Sequence, residues 1–228
     1  MRRILVAGAP FSGVPWVFDA CRLLAVKHFN YLKVNASKLK EYTFVPDMAV
    51  EVLCTTSIPS KPVEYDKLVL CVRDLRDTFC EAVQNGMLEV ASYAFNGMTD
   101  GVKQGIELAL VAPAMHWRDK ADLIIRYEQA AINRIGALAM LDKVLFPEIQ
   151  FEDTGPLQNI AMATEIAPFY ENAYGDFDPK FKGKSLGIGL HLCEFDYGAM
   201  NKIMSDYKDW FSAFNYTDLY QTTGGILE

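Results

Sequence analysis

The chain has 228 residues, enough for one domain spanning 1–228 with a full layered core. Its 51% apolar and 22% charged residues are ordinary globular values, and a formal net charge of −7 argues against a nucleic-acid surface or an anionic membrane as partner. No run approaches the roughly 18 apolar residues that a membrane helix needs.

In chain order, the first apolar run is "RILVAG" at residues 3–8. Arg2 and Arg3 before it imitate a signal peptide, but Pro10, Gly13 and Pro15 break the run, which suits a buried strand better. A helix is expected at 15–28, a weaker strand at 31–37, and strands at 49–55 and 67–73. Helices at 75–96 and 101–111, a strand at 121–127 and a helix at 129–145 follow. Later helices are expected at 157–171 and 197–214, the last placing Met200, Ile203, Met204, Tyr207, Trp210 and Phe211 near one face. The strand-like runs are rich in Val, Ile and Leu and do not alternate with polar residues, as expected of parallel strands covered on both faces. Strands alternating with helices predict an α/β sandwich of three layers around a mainly parallel sheet. The five cysteines, Cys21, Cys54, Cys71, Cys80 and Cys193, are odd in number and form no C-x-x-C pair. They read as reduced thiols in a cytoplasmic protein. No repeat, low-complexity tract or linker is visible, and residues 175–189 are the most loop-like.

Three strand ends carry candidate chemistry. The first is "VAGAPFSGVPW" at Val6–Trp16, a Gly/Pro/Ser-rich turn between a strand and a helix. Such a turn offers backbone N–H groups and a helix N-terminus to a phosphate, yet it lacks the Lys and Ser/Thr of a Walker loop. A tight turn without any ligand fits it equally well. The second strand ends in Arg73, followed by Asp74, Arg76 and Asp77. An arginine beyond a strand's carboxyl end can grip a phosphate; the alternative is a solvated helix start capped by Asp74 or Asp77. The third ends in Arg126-Tyr127-Glu128, where Tyr127 is placed to meet a base and Glu128 to anchor a loop, or Tyr127 simply lies at a sheet edge.

Together these stretches resemble the sulfotransferases, which move a sulfuryl group from 3′-phosphoadenosine 5′-phosphosulfate (PAPS) to a hydroxyl or amine. The family loop P-[KR]-S-G-T-[ST]-W corresponds to Pro10-Phe11-Ser12-Gly13-Val14-Pro15-Trp16. The strand end R-[DN]-P-[RK]-D corresponds to Arg73-Asp74-Leu75-Arg76-Asp77, and R-Y-E-D-L to Arg126-Tyr127-Glu128-Gln129-Ala130. The resemblance covers residues 2–215, weakly in the middle and tail. It implies a P-loop-type sulfotransferase fold. It also implies that the loop around Ser12 and Gly13 holds the phosphosulfate, that Trp16 packs on the adenine, and that Arg73 binds the 3′-phosphate. Tyr127 would lie near the base, and a loop at 183–189 with Lys182 or Lys184 would close over the nucleotide.

The departures fall on the chemistry. Phe11 stands where the family has a cation, and Val14 and Pro15 stand where it has hydroxyl donors. The serine that helps the arginine hold the 3′-phosphate falls at Glu81, whose carboxylate would repel that phosphate. The catalytic histidine falls at Ser57, in Thr56-Ser57-Ile58-Pro59, and a serine near neutral pH is a poor general base. His191 is a candidate substitute base and Lys61 a candidate displaced cation, whereas His28 reads as structural or exposed and His116 as part of a loop before a strand. Two functions follow. One is a PAPS-dependent sulfotransferase with a divergent site, a small-molecule or glycan acceptor and no metal. The other is a catalytically inactive protein of the same fold, binding or structural in role, with a protein partner. A nucleotide kinase on this fold is disfavoured by the missing loop lysine.

Overall fold

The computed structural model describes residues 1–88, 100–149, 151, 153–166 and 197–216. Five strands form one sheet: β1 (Arg2–Gly8), β2 (Val34–Lys38), β3 (Val50–Thr55), β4 (Lys67–Val72) and β5 (Leu123–Arg126). Their order across the sheet is β2-β3-β1-β4-β5. Every neighbouring pair is parallel, with Val6 opposite Cys54 on one side and Val69 on the other. The helices are α1 (Val14–Phe29), α2 (Leu75–Gln84), α3 (Asp100–Ile106), α4 (Ala112–Arg118), α5 (Tyr127–Ile132), α6 (Arg134–Leu145), α7 (Gly155–Ile166), α8 (Tyr197–Asp206) and α9 (Lys208–Ala213). A wide turn, Glu107–Val111, joins α3 to α4.

The period-two alternation of a strand divides the core between the two faces of the sheet. Ile4 and Val6 of β1 enter one cluster with Val17, Leu24, Leu138, Leu141 and Ile160, from α1, α6 and α7. Leu5 and Ala7 enter the other with Phe79, Ile106, Trp117, Ile203 and Trp210, from α2, α3, α4, α8 and α9. This is the expected three-layer α/β sandwich. The tail helices pack as their periodicity predicts: Met200, Ile203, Trp210 and Phe211 are buried in the second cluster, and Met204 and Tyr207 pack against it.

Several boundaries differ from the sequence expectations. Within the helix expected over 75–96, α2 stops at Gln84, because Gly86 adopts φ 68° and the Met87 and Leu88 N–H groups turn back to the Ala82 carbonyl; residues 89–96 lie outside the described residues. The helix expected over 129–145 is two helices, broken at Asn133, whose side chain caps α6 by accepting from the Gly136 N–H at 2.9 Å. Likewise 197–214 breaks at Tyr207 into α8 and α9. The helical stretch expected over 101–111 continues through α4, so His116 is helical rather than in a loop. Strand β2 begins three residues later than expected because Tyr31–Lys33 form a tight helical turn.

Adjacent strands β1 and β4 send their chains to opposite faces, β1 into α1 and β4 into α2. Their carboxyl ends therefore flank the crevice where open α/β sheets bind ligands. No helix among the described residues is long and apolar enough to cross a membrane.

Candidate functional site

The β1–α1 turn folds tightly back on its own strand. A Cβ on Gly8 would lie 2.5 Å from the Cys71 carbonyl oxygen and 2.6 Å from Ser12 Oγ, so the close approach requires glycine. Gly13 caps α1 with φ 91°, and a Cβ there would meet the Tyr127 ring at 2.5 Å. The turn spends its polar groups on itself. Ser12 Oγ donates to the Ala9 carbonyl at 2.7 Å, and the Cys71 thiol donates to the Ser12 carbonyl at 2.8 Å. Phe11 sits at φ 62°, and its side chain packs against the second-face core. Val14 and Trp16 are buried in the first-face core, where the Trp16 indole nitrogen finds no hydrogen-bond partner among the described residues. Pro10 is half-buried, and Pro15 has no N–H to offer at the start of α1.

Arg73 follows β4 and is 3% exposed. Its Nη1 donates to the Glu81 carboxylate and, at 3.1 Å, to the Phe11 carbonyl. Its guanidinium lies 5.0 Å from the centre of the Tyr127 ring. Asp77 in the first turn of α2 and Glu81 in the second, four and eight residues after Arg73, are buried on the side facing it. Burial raises the Glu81 carboxyl above the usual carboxylate range, and the adjoining guanidinium opposes that shift. For Arg73, burial works against the charge, while Glu81 and Asp77 hold it firmly protonated. Burial likewise raises the Tyr127 phenol.

Behind this pair lies a brace centred on Glu128. Glu128 accepts from the Asp74 N–H at 2.8 Å and from the Tyr216 hydroxyl at 2.7 Å, tying the turn after β4 to the start of α5 and to the tail. Asp74 caps α2 through the Arg76 N–H at 2.9 Å and also holds the Arg76 guanidinium at 2.7 and 3.0 Å. Tyr216 carries no motif, and only its place after an aromatic run hints at burial. Tyr216→Phe removes a donor from a buried carboxylate and is expected to cost about 1.5–3 kcal/mol, read as a lower urea midpoint at unchanged m-value.

A cavity of about 1100 Å³ opens beside the turn, between segments 36–42 and 53–64 and the first turn of α1. Ser57 lines it and is exposed, with Thr55 Oγ1 donating to its carbonyl at 2.9 Å. Lys38 at the end of β2, Lys40 in the tight turn after it and Lys61 line the same space. Cys54 is there too, but burial pushes its thiol up to about 11, so it is not a nucleophile at neutral pH.

The structure thus brings Phe11, Arg73, Glu81 and Tyr127 together, sets Ser57 apart in the cavity, and places Trp16 inside the core. His28 is structural: its ring is buried, 2.6 Å from Asp142 Oδ1, and stacked on Phe151. His116 lies on α4 beside Lys120, away from the cavity lining, and burial followed by that lysine lowers its pKa. Lys182, Lys184, His191 and Cys193 lie outside the described residues. Among the described residues no cluster of His, Cys, Asp and Glu could hold a metal.

No protein-family model matches the sequence, and no curated protein matches it. Solved structures do match. Retinol dehydratase in complex with retinol and PAP superposes with a TM-score of 0.63 at 13% identity, over 92% of this chain and 82% of that one. Retinol dehydratase with androsterone and the inactive cofactor PAP gives 0.58 at 15% identity, over 96% and 82%. At these identities the likeness establishes the fold: the chain has the sulfotransferase architecture that its motifs resemble.

Proposed function

We propose that this chain is a sulfotransferase-fold protein that binds a small hydroxylated molecule and does not transfer a sulfuryl group from PAPS at an enzymatic rate. One observation carries the reading: the Arg73 guanidinium is buried against Glu81 and the Phe11 carbonyl, both belonging to the protein itself. The residues do not fit PAPS. Its 3′-phosphate would meet a carboxylate, its leaving oxygen would meet Phe11, and its sulfuryl group would find Val14 and Pro15 in place of hydroxyls. Losing one preorganised charge-stabilising group costs roughly 10²–10³ in rate. Losing a general base costs roughly 10²–10⁴ more.

The cavity supports the binding half of the reading. It combines Val14, Phe18 and Leu53 with the hydroxyls of Thr55, Thr56 and Ser57. Retinol and androsterone, the small alcohols held by the structural neighbours, are the chemical class such a lining suits. A second reading, PAPS-dependent transfer through a rebuilt centre, is favoured by Lys38, Lys40 and Lys61 around the same hydroxyls and by the PAP in the neighbours. One assay separates the two. The protein is incubated with radiolabelled PAPS and a panel of phenols, steroid alcohols and retinol. Labelled product at the no-protein background is expected, and turnover that scales with protein concentration would establish the second reading instead.

A further inference from the structure

Arg73, Asp77 and Glu81 stand at intervals of four residues, from the end of β4 along one face of α2. That register aims two acidic side chains back at one guanidinium. The Arg73 and Glu81 side chains are 2% and 5% exposed, so the pair is made in a place from which water is excluded. A buried guanidinium must be matched by negative charge. In a fold whose solved relatives are bound to PAP, that charge can come from a ligand or from the chain. Here the chain supplies it. Glu81 takes Nη1, the Phe11 carbonyl takes the same nitrogen from the β1–α1 side, and the centre of the Tyr127 ring lies 5.0 Å from the guanidinium carbon. A phosphate approaching Arg73 would have to displace Glu81 and then stand beside Glu81 and the buried Asp77, against like charge on both.

We infer that Glu81 is the specificity-determining residue of this frame: its carboxylate is a built-in counter-anion that occupies the phosphate position at Arg73 and excludes nucleotides phosphorylated there. The ligands compatible with this end of the sheet are those bearing hydroxyls or nothing at that position. A carboxylate accepts from sugar hydroxyls, whereas an available arginine accommodates a sugar phosphate. The inference rests on the reading of the frame as one closed to PAPS, and it adds that the Glu81 side chain alone closes the 3′-phosphate end of it.

The test compares the wild-type protein with Glu81→Ser and Glu81→Gln, titrated with PAP and with AMP by calorimetry and by thermal shift. Ser removes the carboxylate and leaves Arg73 to the ligand. Gln keeps the size and a neutral acceptor while removing the charge, and it decides the question if the serine variant does not fold. Glu81→Ser is expected to bind PAP about tenfold or more tighter than wild type, the worth of one charge-assisted contact, with a matching rise in melting temperature and no such gain for AMP. Glu81→Gln is expected to gain less, in the same direction. The inference is overturned if wild type binds PAP as tightly as the folded variants, or if the gain is equal for AMP. Either failure leaves the transfer assay on the wild-type protein to judge the functional reading by itself.

Discussion

Arg73→Ala is expected to lower the stability of the protein by about 3–5 kcal/mol, the cost of leaving a buried carboxylate without its partner. Glu81 and Asp77, one turn apart on the same face of α2, would then be left side by side without the guanidinium, and its contact with the Tyr127 ring would be lost as well. Urea unfolding followed by far-UV circular dichroism reads the loss directly. The same argument predicts its repair. Replacing both partners with apolar side chains of similar volume, Arg73→Met with Glu81→Leu, is expected to recover part of the stability, because Glu81 is then no longer stranded while the buried Asp77 still loses the guanidinium. A double variant as unstable as Arg73→Ala would mean that the pair matters for something other than charge matching. If Arg73 instead faced solvent in readiness for a ligand, the single substitution would cost no more than the roughly 0–1 kcal/mol of an exposed pair.

Gly13→Ala is the second large effect. The backbone at Gly13 has φ 91°, where an L-residue is strained by roughly 1–2 kcal/mol. Its Cβ would also stand 2.5 Å from the Tyr127 ring and 3.2 Å from the Cys71 sulfur, both buried. Overpacking of that kind costs roughly 1–3 kcal/mol more. A combined loss of about 3 kcal/mol is expected, together with a change in the near-ultraviolet signal as the ring moves off Arg73. A Gly13→Ala protein with wild-type stability and an unmoved Tyr127 would show that the turn is looser than its geometry implies. Gly13 therefore does structural work in this chain, seating the tyrosine that covers the guanidinium.

The parallel sheet was legible because Leu5, Val52, Leu70 and their neighbours form short unbroken apolar runs, the mark of strands buried on both faces. The edge strand β2 was legible only weakly, since "VNASK" has half-buried positions throughout. Helix ends were the poorest part. The Asn85-Gly86 stop is written in the sequence, but the apolar residues beyond it continue the helical period and mask it. Asn133 hides in the same way, as a cap inside an apolar stretch. At the site, the residues were legible and their partners were not. Spacing puts Glu81 near Arg73, but only the folded structure shows the carboxylate on the guanidinium rather than beside it. The Phe11 carbonyl could not be foreseen, because a backbone acceptor leaves no trace in residue type. The cavity escaped for another reason: its lysines come from two separate strand ends, which the sheet order brings side by side.

The most direct test of the central claim is a crystal structure of the protein grown in excess PAP. The account predicts Arg73 still on Glu81 and the Phe11 carbonyl, with no nucleotide phosphate against the guanidinium. A structure in which Glu81 has swung aside and the 3′-phosphate sits on Arg73 would contradict it, and would mean that the sulfuryl-donor site of this fold is open in this chain.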